Sequence, residues 1–180
     1  MNQAPSDPVY GRVAKALHWL VFVLLGLQYV IGWTMPDIER HTLPTGLIGV
    51  HITLGTLIVL AVAARILWRL FNRPAASRAA LATPLWSRRL ASLVHGSLYV
   101  LMVIVPVLGW AHANARGWVV GITDQLSLPA LMPEGSALGH EFGDVHGALA
   151  VVLICLIGLH VAAGLYHHII LRDGTLRNMW

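Results

Sequence analysis

Four long apolar stretches divide the chain, at about residues 16–35, 46–71, 90–112 and 145–171. A bilayer core of about 30 Å needs about 20 mostly apolar residues in a helix, and each stretch is long enough. Residues 36–40 and 72–74 are polar and contain proline, which indicates turns at the membrane boundary. The pattern predicts an all-α fold, a four-helix transmembrane bundle formed by one membrane domain of residues 1–180.

Two further expectations concern the ends of these stretches. The first stretch is too long for a signal-peptide core and has no small-residue cleavage site, so we expect a retained anchor. The connector at residues 113–144 is too long for a simple hairpin. Loops of that length are usually functional or contain a short helix of their own.

Positive charge lies mainly on one side of the predicted bundle. Ten of the twelve basic residues flank the same ends of the stretches: Arg12, Lys15, Arg65, Arg69, Arg73, Arg78, Arg88, Arg89, Arg172 and Arg177. The other two connectors carry only Arg40 and Arg116. By the positive-inside rule, both termini are predicted to be cytoplasmic.

Composition excludes several classes of protein. Only 11% of the residues are charged and 57% are hydrophobic, whereas soluble domains carry about 25% charged residues. The arginines flank apolar spans, which argues against a nucleic-acid partner and for membrane lipid. The single cysteine, Cys155, lies in an apolar run and excludes a disulfide framework and a cysteine-based metal site.

Histidines are the residues best placed to carry chemistry, because ionisable groups inside a membrane are costly and usually functional. His146 and His160 are fourteen residues apart, so their rings project from nearly one face of a helix, about 21 Å apart along its axis. His18 lies at the depth of His160, and His51 lies at the depth of His146. Two facing imidazoles at each depth would supply the axial ligands of two six-coordinate b haems.

The other histidines leave alternatives open. A single membrane histidine is often only hydrogen-bonded to a neighbour, so the haem interpretation depends on the pairing. His95 is either a rival of His18 as ligand or a partner of a haem propionate or a quinone. The remaining five are expected near the surfaces: His41, His112, His140, His167 and His168.

Several motifs resemble the bacterial cytochrome b561 family. They are Ala-Leu-His-Trp at 16–19, Val-His-Ile-Thr-Leu-Gly at 50–55, Arg-Ile-Leu-Trp-Arg at 65–69, Pro-Val-Leu-Gly at 106–109, Asn-Ala-Arg-Gly at 114–117, and Gly-Leu-His at 158–160 followed by His-His at 167–168. Their order is kept over nearly the whole chain.

The resemblance implies a four-helix membrane cytochrome with two haem b groups in the bacterial inner (cytoplasmic) membrane. It assigns His18 and His160 to the iron of the inner haem, and His51 and His146 to the iron of the outer one. The chain is similar in length and plan to superoxide oxidases of this family, which pass electrons from superoxide outside the membrane to ubiquinone. His95 is then expected near the quinone.

One departure from this expectation lies in the outer connectors, where six acidic residues oppose two arginines. Arg116, with His112 and Arg40, is the candidate for steering superoxide through a local basic patch. Two other functions stay open. One is a haem-b anchor subunit between a dehydrogenase or hydrogenase partner and quinone, and the other is a histidine-based proton or metal transporter. The sequence identifies no protein partner.

Overall fold

The computed structural model describes residues 11–72, 84–123, 126–173 and 175–179. Its four long helices are α1 (Arg12–Thr34), α2 (Gly46–Phe71), α3 (Leu85–Ala115) and α4 (Ala137–Tyr166). All four are long and apolar enough to cross a membrane. In the described residues, β-structure is limited to one isolated bridge between Gly121 and Ser127. The predicted all-α, four-helix architecture is therefore confirmed.

Helices α1, α3 and α4 begin before their apolar stretches, and α3 also ends three residues after its own. Pro84 immediately precedes α3, where its missing N–H costs nothing. Ser136 caps α4, because its hydroxyl accepts a hydrogen bond from the Gly139 N–H at 3.2 Å. The long connector consequently shrinks to residues 116–136, and its described part contains no helix of its own. The residues expected to form a loop instead continue α3 and α4.

The bundle consists of two helical hairpins. Helix α1 packs along α2, α3 packs along α4, and α2 also contacts α3. An apolar core joins them: Val21, Ile58, Ala61, Val62, Leu98, Met102, Val105 and Leu153. Helices α1 and α4 have few close backbone approaches, and Tyr29 bridges them by donating to the Ala150 carbonyl at 2.7 Å. The two hairpins therefore meet between α1 and α4 mainly through side chains.

The outer surface of the bundle is apolar along the middle of each helix. Val30, Leu60, Leu93 and Val151 are all at least half exposed. A helix bundle that is hydrophobic on its outside is suited to lipid and not to water. We call the end with residues 35–45 and 116–136 the outer end, after the predicted topology, and the orientation itself stays a prediction.

Part of the charge pattern lies outside the described residues. This applies to Arg73, Arg78 and Asp124, and to the side chain of Arg177.

The inner end of α4 closes with a π-helical turn at His167–Leu171. Arg172 then adopts a left-handed backbone conformation, and the chain reverses so that Asp173 accepts a hydrogen bond from His167 Nδ1 at 2.5 Å. Partial burial alone would raise the pKa of Asp173, but its hydrogen bonds with Thr175 and His167 outweigh this and lower it. The Trp19 indole donates to the Met179 carbonyl at 2.8 Å. These contacts hold the described tail against α1.

Candidate functional site

The outer pair of histidines joins α2 to α4. The ring centroids of His51 and His146 are 6.1 Å apart, and the rings are nearly perpendicular at 79°. His146 Nδ1 donates to the Val105 carbonyl at 2.8 Å. The Gln28 amide nitrogen lies 3.1 Å from His51 Nε2 and donates to the His51 carbonyl, while His51 Nδ1 is buried without a partner. Each ring therefore has one nitrogen held by the protein and one left for a ligand.

Two glycines leave room for these rings. A Cβ atom on Gly109 of α3 would lie 2.8 Å from His146 Nδ1, closer than real side chains approach. A Cβ on Gly32 of α1 would lie 3.4 Å from His51 Cε1. The outer pair thus depends on a small residue at position 109.

The inner pair joins α1 to α4. The ring centroids of His18 and His160 are 6.2 Å apart, with an angle of 77° between the rings. His95 of α3 lies beside them, with its ring centroid 5.0 Å from that of His160. His95 Nδ1 is held by the Ala91 carbonyl at 2.6 Å.

These separations test whether the pairs fit a metal between them. Bonds of about 2 Å from a first-row metal to two imidazole nitrogens on opposite sides of it place the ring centroids about 6 Å apart. The pairs His51–His146 and His18–His160 both have this spacing, whereas His95 lies closer to His160. The four histidines fit the axial ligation of two b haems.

Cationic groups accompany the inner pair. Arg65 Nε donates to the Tyr99 hydroxyl at 3.0 Å, and its Nη1 is buried without a partner. The Arg69 guanidinium lies 5.6 Å from the centre of the Tyr99 ring. Arg65 also interacts electrostatically with His18 and His160. An anionic group beside the inner histidines would therefore find a positive partner.

An open cleft of about 660 Å³ lies at the outer end. Arg40, His41, Arg116, Trp118 and Glu134 line it, and it extends to Ile52 and Thr53, next to His51 on α2.

The position of Arg116 in this cleft is fixed by its contacts. It follows α3, donates to the Glu39 carbonyl, and places its guanidinium 4.9 Å from the centre of the Trp118 ring.

Only part of the expected basic patch lines the cleft. Arg40 and Arg116 do so, whereas His112 lies outside the lining and interacts electrostatically with Arg116. The His112 ring lies against Gly143 of α4, and its Nδ1 is hydrogen-bonded to the Gly139 carbonyl at 3.2 Å. It therefore belongs to the α3–α4 interface.

Three residues near the histidines were not singled out from the sequence. Gln28 contacts His51, Tyr99 contacts Arg65, and Gly109 faces His146. Gln28 carried a signal, because a polar side chain in an apolar span needs a partner. Gly109 lay in a quoted motif, but nothing in the motif showed which ring it would face.

Comparison with known proteins identifies the family of this chain. A family model described as prokaryotic cytochrome b561 matches residues 9–180. Cytochrome b561 homolog 2 of Escherichia coli K12 is 26% identical, over 94% of this chain and 90% of its own. Probable superoxide oxidase CybB of Yersinia pestis is 26% identical, over 94% of each chain. Cytochrome b562 of Cereibacter sphaeroides is 25% identical, over 97% of this chain and 96% of its own.

The family match covers nearly the whole chain, including all four helices. Membership of this family implies that the chain binds haem b and transfers electrons. It also implies a bacterial membrane protein that crosses the membrane several times. The chain therefore belongs to the prokaryotic cytochrome b561 family.

Proposed function

We propose that this chain is a di-haem b cytochrome of the bacterial inner membrane that transfers electrons from superoxide at its outer face to ubiquinone. The observation that carries the proposal is the presence of two histidine pairs with the spacing of metal-bridged imidazoles. Both pairs use α4, through His146 and His160. One continuous helix thus provides a ligand at two depths of the membrane, about 21 Å apart along its axis.

His51 and His146 are the proposed ligands of the outer haem, and His18 and His160 those of the inner one. When bound, haem b supplies one-electron redox chemistry at its iron. The hydrogen bond from His146 Nδ1 to the Val105 carbonyl fixes the ring orientation and leaves Nε2 to bind the metal. His51 and His146 would both bind the iron of the outer haem, so a donor would give up its electron without binding to that iron.

The outer cleft supports superoxide as the donor. Superoxide is a small anion, and the two positive charges of Arg40 and Arg116 outnumber the one carboxylate, Glu134, in a cleft that extends to the neighbours of His51. One relative carries the name probable superoxide oxidase. In the balanced reaction, two superoxide ions lose one electron each and become dioxygen, and ubiquinone takes up two electrons and two protons to become ubiquinol.

The inner end supports a quinone as the acceptor. The nearby His95 ring has its Nδ1 held by the Ala91 carbonyl, which leaves Nε2 as the available nitrogen. We place His95 next to the quinone and not on the iron, because its ring centroid is 5.0 Å from that of His160, about 1 Å less than two imidazoles on opposite sides of one iron require.

Haem content and donor can be tested on one purified preparation. Pyridine haemochrome analysis is expected to give two b haems per chain, and a superoxide pulse with ubiquinone is expected to form one ubiquinol per two superoxide ions. A haem ratio near one would contradict the two-pair assignment. Failure of superoxide to reduce a protein with two haems would contradict the donor, and would favour an anchor subunit that receives electrons from a dehydrogenase or hydrogenase.

A further inference from the structure

A third histidine pair lies at the outer end, between α3 and α4. The ring centroids of His112 and His140 are 6.0 Å apart, with an angle of 78° between the rings. This is the separation found in both proposed haem pairs. His140 is exposed and His112 is half-buried, so the pair opens to the aqueous side and lies apart from the lining of the outer cleft.

Local contacts hold the His112 ring in one orientation. Its Nδ1 donates to the Gly139 carbonyl at 3.2 Å, on the residue that precedes His140. A Cβ on Gly143 would lie 2.6 Å from the same ring, so α4 accepts the ring only because position 143 is glycine. A histidine whose one nitrogen donates to a carbonyl presents the other nitrogen with a free lone pair, as metal-binding histidines do.

We propose that His112 and His140 form a surface site for a divalent transition-metal ion, Zn²⁺ or Cu²⁺. Each imidazole binds the ion through one ring nitrogen, and water fills the remaining positions. Imidazole nitrogen is a preferred ligand of both ions. The 6.0 Å between the ring centroids fits two nitrogens on opposite sides of a tetragonal Cu²⁺ ion, each about 2 Å from it, and a tetrahedral Zn²⁺ ion needs the exposed His140 ring to move about 1 Å closer. Asp144, one helical turn beyond His140 and exposed, adds negative charge on the same face of α4.

This site is independent of the proposed haem ligands. It uses none of the four residues of the pairs His18–His160 and His51–His146. Its ligands come from the aqueous end of the α3–α4 hairpin. The exposure of His140 suits a hydrated ion that enters from solution.

The test uses haem-loaded protein whose affinity tag has been removed, so that the four proposed haem ligands are occupied. Zn²⁺ binding is measured by calorimetry for the wild type, His140→Ala, His112→Gln and the control His41→Ala. His41 is another exposed histidine of the outer end, and it lines the neighbouring cleft. We expect one Zn²⁺ per wild-type chain, a loss of affinity of about tenfold or more in each of the first two variants, and unchanged binding in the control.

Electron paramagnetic resonance with Cu²⁺ counts the ligands directly. The wild type is expected to show hyperfine coupling from two imidazole nitrogens, and each single variant coupling from one. Unchanged haem spectra of the variants establish that they are folded. Equal Zn²⁺ affinity of His112→Gln and the wild type would overturn the proposal, and so would an equal loss in His41→Ala and His140→Ala.

Discussion

Two histidine rings and two glycines interlock α3 with α4 near the outer end. The His146 ring of α4 lies against Gly109 of α3, and the His112 ring of α3 lies against Gly143 of α4. On each helix the histidine and the glycine are three residues apart, which puts them on one face. Each ring thus occupies space that a side chain larger than glycine on the opposite helix would fill.

Gly109→Ala is expected to weaken haem binding at the outer position. The added Cβ would lie 2.8 Å from His146 Nδ1 and 2.9 Å from Cε1, so the ring must move away from its hydrogen bond to Val105. Overpacking of this kind costs about 1–3 kcal/mol. A loss of roughly tenfold or more in affinity for one of two haems should appear when haem is titrated into the apoprotein.

Gly26→Ala is the matched control, because a Cβ at Gly26 would meet nothing within 4 Å. Alanine is the better helix former, by about 0.5–1 kcal/mol, so this variant is expected to bind both haems as the wild type does. Equal haem binding by Gly109→Ala and Gly26→Ala would show that the ring of His146 tolerates a side chain at position 109.

The sequence predicted two pairs of facing histidines, but neither the His112–His140 pair nor the glycines that the rings need. Depth matched His51 with His146 and His18 with His160, with His95 left open as a rival of His18, and the structure brings both pairs together. Glycine gives no comparable signal, since Gly26 and Gly109 look alike in an apolar helix. Only the packing of α3 on α4 distinguishes them.

At the scale of elements, α4 is the helix on which both proposed haems depend. His146→Ala is expected to remove the outer haem and leave the inner one, and His160→Ala is expected to do the reverse. The reason is that each imidazole has its partner at one depth only: His51 for the outer pair and His18 for the inner pair. Redox titration of each variant should show one remaining component.

His95→Ala distinguishes the inner ligand from its neighbour. Both haem components are expected to remain in this variant, with slower reduction of ubiquinone, while His18→Ala should lose the inner component. The reverse result, in which His95→Ala loses a component and His18→Ala keeps both, would show that His95 is the ligand.

The turn that follows α4 has a pH-dependent contact. Hydrogen bonds from Thr175 and His167 lower the pKa of Asp173, so the charged carboxylate stabilises the folded tail. A lowered pKa gives stability that is present at neutral pH and is lost as the pH falls below the ordinary carboxyl value of about 4. We expect protection of the Thr175 amide from hydrogen exchange to fall over that range.

Asp173→Asn is the control for this contact. In the variant, protection of Thr175 should already be low at neutral pH and should not change further on acidification. Protection in the wild type that is equal at pH 7 and pH 3, after correction for the intrinsic exchange rate, would contradict the role of the carboxylate.

Helix ends were less predictable than helices. The bounds of α2 agree with the apolar stretch, because apolar residues run from one end of that helix to the other. Helices α3 and α4 begin earlier than their apolar stretches, at Leu85 and Ala137, since Pro84 and Ser136 favour a helix start within polar sequence. Hydropathy locates the lipid-facing part of a helix, whereas these flanking residues decide where the helix begins.

At the scale of the whole molecule, the charge pattern has a global and a local part. The ten basic residues on one side predict the orientation of the bundle in the membrane. A sequence can show this, because the position of each charged residue in the chain assigns it to one connector. The local field at the outer end depends on folding. Arg40 and Arg116 are far apart in the sequence but line one cleft, while His112, close to Arg116 in the sequence, packs between helices.

Removing charge from the outer cleft is expected to slow reduction by superoxide. Arg40→Gln tests charge at an exposed position of the cleft. Arg116→Gln tests it at a position that also donates to Glu39 and packs on Trp118, and Arg116→Lys keeps the charge but changes the geometry. Exposed charges are screened over about 8 Å at physiological ionic strength, so the difference between the wild type and the charge-removing variants should shrink as salt rises.

Stopped-flow reduction by a superoxide pulse at two salt concentrations measures this effect, with reduction by quinol from the inner end as the reference. We expect Arg40→Gln and Arg116→Gln to lose several-fold in rate at low salt and little at high salt, and Arg116→Lys to remain near the wild type. Quinol-driven reduction should be equal in all four proteins, because it begins at the opposite end of the bundle. If Arg116→Lys were as slow as Arg116→Gln at both salt concentrations, Arg116 would act through its contacts with Glu39 and Trp118. Equal rates in Arg40→Gln and the wild type would exclude Arg40 from steering.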